Sequence, residues 1–174
     1  MSTVFIAPPM AADRQLFLEA VARSTSLHAS WVSPPATATA FDEFVSRAAR
    51  GDCAKFLVRL RDDTALAGAV NISNIVRESL SSAFLGFYAF EPHANQGFMK
   101  AGLRLVLARA FGDLALHRVE ANIQPENHAS IALVRACAFR KEGFSPKYLH
   151  VAGQWRDHER WALLADEFQS PQNS

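Results

Sequence analysis

The chain has 174 residues, 49% of them hydrophobic, and no Gly/Ser/Pro-rich stretch divides it, so residues 1–168 are read as one domain with a sizeable core. Its 18 Lys and Arg against 17 Asp and Glu leave a net charge of +1. Neither sign forms a run suited to nucleic acid or a membrane surface, and no segment approaches the ~20 apolar residues of a membrane span. Cys53 and Cys137 lie far apart without CxxC spacing, which argues for reduced thiols in a cytoplasmic protein.

In chain order, residues 1–10 hold no basic segment leading into a hydrophobic one, so no export signal is expected. Residues 4–7 are apolar and closed by Pro8 and Pro9, which predicts an opening strand. Residues 12–23 have helical composition, with Leu16, Ala20 and Arg23 spaced one turn apart. A loop is expected over residues 28–35, where Pro34 and Pro35 put Trp31 in an irregular context. Residues 40–50 place Phe41, Phe44, Val45 and Ala48 on one helical face and end at Gly51. Three β-type runs, 55–61, 65–76 and 82–90, are separated by Asp62-Asp63 and by residues 77–81, the pattern of an antiparallel meander.

The next helix begins near Gly97 and stops near Gly112, burying Met99, Leu103, Val106, Leu107 and Ala110. HRVEANI (117–123) alternates as a strand, and Pro125 and Asn127 introduce a helix through Cys137. Residues 144–151 and 155–164 form a hairpin turning at Ala152-Gly153. The polar tail QSPQNS (169–174) lies beyond the last apolar run and is expected to fray. About seven strands and four helices, with one strand-helix-strand crossover and antiparallel pairing on both sides, predict a mixed α/β (α+β) sheet.

Functional information concentrates where FLGFYAFEP passes through HANQGFMK into a helix. A strand that turns directly into a helix leaves N–H groups unpaired at the positive end of the helix dipole, a ready site for phosphate or pyrophosphate. Gly97 suits close approach of a ligand there, and equally a plain tight connection. GxGxxG and GxxxxGK[ST] are absent, which removes dinucleotide-binding, kinase and NTPase readings. Asn127 and Ser130 share one face at a helix start, fitting either an N-cap with a first-turn serine or an amide and a hydroxyl aimed at a ligand. The histidines show no HExxH or paired-ligand spacing, so no metal is expected. Without a GxSxG element or a nucleophilic Cys-His context, neither is a hydrolase.

Three segments in order, LGFYAFEPHANQGFMKAGLRLVL, HRVEANIQPENHASIALVRACAF and EGFSPKYLHVAGQWRDHERWALL, resemble the GNAT acetyltransferase superfamily, more closely its RimJ/RimL-type branch of protein N-terminal acetyltransferases. The resemblance covers nearly the whole chain and implies a GNAT fold with splayed central strands and acetyl-CoA as cosubstrate. It assigns Phe87 and Ala89 to pantetheine through strand backbone, and the amides of Gln96, Gly97, Phe98, Met99 and Lys100 to pyrophosphate. It further assigns Asn127 to the pantetheine arm and Ser130 to protonation of the departing CoA thiolate. The turn departs from the family form Gln/Arg-x-x-Gly-x-Gly/Ala: Ala94 holds the first position, Met99 the last, and Asn95 stands where many members have glycine.

Amine acetylation from a thioester needs a neutral amine, a donor for the developing oxyanion and a proton for the leaving thiolate. An α-amino group with pKa ~7.7–8.0 is about a tenth neutral at pH 7, whereas a lysine at ~10.4 is neutral in well under one molecule per thousand. A carboxylate acting through water then suffices as base, with Glu91 at the end of the fourth strand as candidate and Glu120 behind it. The oxyanion donor is expected to be a strand N–H near Ala89. Opposite the cofactor, by resemblance and placement, the acceptor candidates are Trp31, Asn74, Tyr88, Tyr148 and Trp155. Each aromatic also fits core packing, and Asn74, disfavoured inside a strand, marks either a polar cavity or a bulge.

The expected reaction is transfer of acetyl to a protein N-terminal α-amino group, of the ribosomal-protein-alanine type. The alternatives are acetylation of a small amine (antibiotic, polyamine or amino acid) and a catalytically silent CoA-binding module. An exposed apolar patch or sheet edge would serve a homodimer.

Overall fold

The computed structural model describes residues 3–48 and 50–169. Residue 49, in the predicted second helix, and the tail from 170 onward lie outside the described residues. The strands are β1 (Val4–Ala7), β2 (Ala54–Leu60), β3 (Leu66–Val76), β4 (Ser82–Ala89), β5 (Arg118–Ile123), β6 (Arg140–Val151) and β7 (Gln154–Leu164). They form one seven-stranded sheet in the order β1-β2-β3-β4-β5-β7-β6. β1 to β4 pair antiparallel in sequence order, as the meander pattern predicts. β4 and β5 pair parallel, and β7 pairs antiparallel with both β5 and β6.

Among the described residues five α-helices accompany the sheet, with a short 3-10 turn (Ala11–Asp13) before the first: α1 (Arg14–Arg23), α2 (Thr25–His28), α3 (Ala38–Arg47), α4 (Phe98–Phe111) and α5 (His128–Ala136). The short α2 is additional to the four expected. It is separated from α1 at Ser24, whose hydroxyl bonds back to the Ala20 carbonyl at 2.7 Å and so competes with helix continuation. α3 starts two residues earlier than predicted because Thr37 caps it, its hydroxyl accepting from the Ala40 N–H. β6 begins at Arg140, four residues before the predicted strand, in a charged stretch with no apolar alternation. Pairing with β7 from Arg140↔Ala162 holds it there, and ion pairs add to it: Arg118 with Glu142, Lys141 with Glu159, and Arg140 with Glu167 in the turn after β7.

Alternation along the strands gives the sheet two apolar faces. On one, Val70, Ile72, Leu85, Val119, Ala121 and Trp161 pack beneath α4 and α5. The approach of α4 is close, since a Cβ on Gly102 would lie 2.5 Å from the Val58 side chain. On the other face, Leu57, Ala69, Tyr88 and Phe90 pack beneath α1 and α3. Phe17, fully buried, meets the rings of Phe41, Phe44 and Phe90 at 4.9, 5.5 and 5.4 Å. Burying such a ring contributes about 1.5–3 kcal/mol, which fixes α1 and α3 to the sheet. No helix among the described residues is long and apolar enough to cross a membrane.

Candidate active site

The ladder between β4 and β5 runs from Ser82↔Arg118 to Leu85↔Ala121 and stops. Yet β4 continues against β3 to Gly68↔Ala89, and β5 continues against β7 to Ile123↔Glu159. Residues 86–89 and 122–123 therefore border a gap within the sheet. The Phe90 N–H donates to the Ala67 carbonyl at 2.8 Å, which makes those two a hydrogen-bonded pair. Because such pairs alternate along an antiparallel ladder, Phe87 and Ala89 turn their N–H and C=O away from β3, toward the gap.

A cavity of about 430 Å³ passes through this opening. On the α4–α5 side its lining includes Asn95, Gly97, Met99, Lys100, Asn127 and Ser130. On the α2 side it includes His28, Trp31, Tyr88, Asn122, Gln124 and His158.

The turn into α4 keeps its shape despite its unusual residues. Gly97, the N-cap, has φ 84° and Asn95 has φ 60°, a left-handed conformation that asparagine tolerates. The α4 N-cap makes no side-chain hydrogen bond. The Ala101 N–H reaches the Gly97 carbonyl at 3.1 Å, so the amides of residues 98–100 precede any intrahelical acceptor. Gln96 folds its side chain back, donating to the Pro92 carbonyl at 2.7 Å. The Phe98 ring packs against His93, 6.1 Å between centroids. Neither of these two side chains lines the cavity, whereas Met99 and Lys100 do.

Asn127 caps α5, its Oδ1 accepting from the Ser130 N–H at 3.1 Å. The cap sets Ser130 on the first turn, and both residues face the cavity. Phe87, Ala89, Tyr88 and Trp31 also line it. Burial raises the Tyr88 phenol well above its ordinary pKa, so it stays protonated; the neighbouring Asn71 amide opposes that shift. No partner reaches the Tyr88 hydroxyl in hydrogen-bonding geometry.

Other candidates fall elsewhere. Glu91 is not among the lining residues; its N–H donates to the Ser24 hydroxyl at 2.9 Å. Glu120 pairs with Arg118 at 2.8 Å and is likewise outside the lining. Asn74 has φ 51° at a register shift between Ser73 and Val76, a bulge. It borders a second cavity of about 330 Å³ with Arg47, Arg50 and Lys55. Tyr148 meets the His158 ring at 6.2 Å, and Trp155, 62% exposed on the β6–β7 hairpin, meets His150 at 5.4 Å. Neither aromatic lines the main cavity.

His28, Asn122, Gln124 and His158 were not anticipated. Gln124 donates to the Ser30 carbonyl at 3.0 Å, tying the end of β5 to the loop that carries Trp31. Asn122 was within reach of pattern reading, because HRVEANI alternates and puts it on the face opposite Val119 and Ala121.

A sheet opened between two parallel strands, with an uncapped helix start at one mouth of the opening, is the architecture of an acyltransferase that takes its acyl group from a CoA thioester. Residues 3–140 match the acetyltransferase (GNAT) domain, and the chain belongs to that family. It is thus an N-acetyltransferase with acetyl-CoA as donor.

The chain is 33% identical over 107 residues to the ribosomal protein uS5-alanine N-acetyltransferase of Escherichia coli (strain K12). That match covers 62% of this chain and 55% of the relative, so the similarity spans little more than half the relative's length. Among solved structures, Mycobacterium smegmatis RimJ in complex with CoA-disulfide superposes with a TM-score of 0.88 at 29% identity, covering 96% of this chain and 85% of the other. The spermidine N-acetyltransferase of Vibrio cholerae in complex with CoA and spermine superposes with a TM-score of 0.81, covering 96% and 98%. At 19% identity that neighbour shares the fold alone.

Proposed function

We propose that the acceptor is the α-amino group of a protein N-terminus, of the ribosomal-protein-alanine type. The observation that carries this reading is the charge of the cavity: no Asp or Glu is among its lining residues, while Lys100 is. A polyamine brings several ammonium groups, and a cation taken out of water without a counter-charge is strongly disfavoured. A peptide N-terminus brings one amine, more readily neutral than a lysine. The second cavity, which shares Gly86 with the first, sets Arg47, Arg50 and Lys55 against the one carboxylate of Asp52, and that surplus further disfavours a polycation. The names of the uS5-alanine relative and of RimJ agree with this reading.

In this reading the α4 amides and Lys100 receive the pyrophosphate, and the gap-facing backbone of Phe87 and Ala89 pairs with the pantetheine arm beside Asn127. An N–H near Ala89 stabilises the oxyanion, and Ser130 supplies the thiolate with its proton. Synthesis of such an acceptor on ribosomes would put the reaction in the cytoplasm.

The test is a competition. An alanine-headed peptide from a ribosomal protein and spermine are offered with acetyl-CoA, and acetyl gain is followed by mass spectrometry. A higher kcat/KM for the peptide is expected; preference for spermine would replace this reading with the small-amine one.

A further inference from the structure

The second cavity, about 330 Å³, lies on the same face of the sheet as α1 and α3. Leu57, Ala69 and Tyr88 pack there, and Lys55, Asn71 and Gly86, each two residues away along its own strand, share that face by alternation. The Lys55 ammonium agrees, 3.9 Å from the centroid of the buried Phe44 ring of α3. α4, whose start would hold the pyrophosphate, packs on the opposite face. An anion drawn to this cavity is therefore brought by the acceptor and not by the donor.

The same three residues form a row across the sheet: Lys55 pairs with Asn71, and Asn71 with Gly86. Gly86 is the first β4 residue beyond the last β4–β5 pair, so the row ends at the gap. Two strand spacings of about 4.7–4.9 Å put Lys55 roughly 10 Å from that edge. An extended chain covers about 3.3–3.6 Å per residue, so this span is about three residues of a peptide.

At the far end of the row positive charge is in surplus. Arg47, Arg50 and Lys55 border the cavity, and Asp52 is the one carboxylate beside them. Among the described residues none of the three cations forms an ion pair. Arg47 sits in the last turn of α3, where its charge suits the helix dipole. Arg50 and Lys55 lie beyond the helix. Desolvation lowers the Lys55 pKa; Cys53 opposes that shift and Arg47 adds to it. An anion placed among these groups favours the charged form of each.

We propose that the second cavity is a subsite for a carboxylate of the acceptor, an Asp or Glu about three residues from the α-amine delivered at the gap. The inference rests on the peptide reading of the acceptor and adds a sequence preference to it. The peptide runs from the gap across Gly86, which puts no side chain in its path, to Lys55, Arg47 and Arg50. The subsite acts by binding alone, and the acyl-transfer steps stay at the gap.

The test uses three peptides with one neutral tail that differ only in their third residue, beginning Ala-Ala-Glu, Ala-Ala-Gln or Ala-Ala-Lys, with spermine alongside. We expect kcat/KM to fall in the order Glu, Gln, Lys, with about 10-fold between the first two, expressed in the peptide KM and reduced by added salt. Lys55→Met, which keeps an unbranched stem against Phe44, should shrink the Glu-to-Gln ratio. Arg50→Glu combined with Lys55→Glu should invert the order and favour the Lys peptide, a result that misfolding cannot produce. The acetyl-CoA KM should be the same in all variants. Equal kcat/KM for the Glu and Gln peptides, a preference that survives both variants, or a shift confined to the acetyl-CoA KM would overturn the subsite while leaving the peptide acceptor in place. A wild-type preference for spermine over all three peptides would remove the acceptor reading and the subsite with it.

Discussion

Leu85 and Ala121 are the last residues to face each other across β4 and β5. Both lie under α4 and α5 in the larger core cluster, so the zipped half of this parallel pair is anchored while the unzipped half is free to hold a ligand. On the proposed reading, the donor thioester meets the acceptor amine beyond this pair.

Gly97→Glu should fold. No heavy atom lies within 4 Å of the Cβ it would add, and the cost at φ +84° is about 1–2 kcal/mol of backbone strain. The new carboxylate would neutralise the positive end of the helix dipole at the α4 start and repel pyrophosphate, raising the acetyl-CoA Kd by about 10-fold or more. Calorimetric titration measures this, and an unchanged Kd would remove pyrophosphate from the turn.

Ser130→Ala and Asn127→Ala should behave differently although the residues touch. Ser130→Ala lowers kcat while leaving acetyl-CoA affinity and thermal stability near wild type. Asn127→Ala removes the α5 cap, costing about 1 kcal/mol, and lowers stability and rate together. Steady-state kinetics paired with thermal unfolding separates the two; equal rates for Ser130→Ala and wild type would exclude the proton-donor role.

Asp13 and Arg59 form an ion pair at 2.5 Å with side chains only 11% and 12% exposed, and Asp13 also accepts from the Met10 N–H at 2.8 Å. Asp13→Ala alone should cost about 3 kcal/mol, because it leaves the half-buried guanidinium without a counter-charge and with only the Thr64 carbonyl as partner. Replacing both residues by apolar ones should cost less. Urea denaturation of the single and double variants checks the order.

Acid should loosen the β5–β6 region. Hydrogen bonding from the Arg118 guanidinium, opposed by partial burial and aided by Arg140, holds the Glu142 carboxyl below its usual range. A carboxylate with a depressed folded pKa contributes stability that is complete above its unfolded value of about 4.3 and is lost as pH falls through the folded value. The contribution is small because the pair is partly exposed. Glu142→Gln should flatten the acid limb of Tm against pH; a limb identical to wild type would show that this pair does not contribute.

What was legible in the chain was whatever buries one face. The run from Gly97 to Gly112 declares its helix because Met99, Leu103, Val106, Leu107 and Ala110 all reach the core. HRVEANI declares its strand in the same way, through Val119, Ala121 and Ile123. α2 has four residues, too few for a period, so His28 read as a solitary histidine. The first residues of β6 are charged, and their strand state comes from pairing with β7, a partner distant in local pattern. The Gln124 contact to Ser30 spans 94 positions, and no local signal announces such a partner. The α5 cap was legible because both of its residues sit within one turn.

Gly86 stands at the border of the two cavities, and a Cβ placed on it meets nothing within 4 Å. A methyl group can therefore be introduced there without a clash, on a segment separate from the donor turn. On the proposed reading, one codon at this border changes the space beside the gap while the α4 turn keeps its sequence.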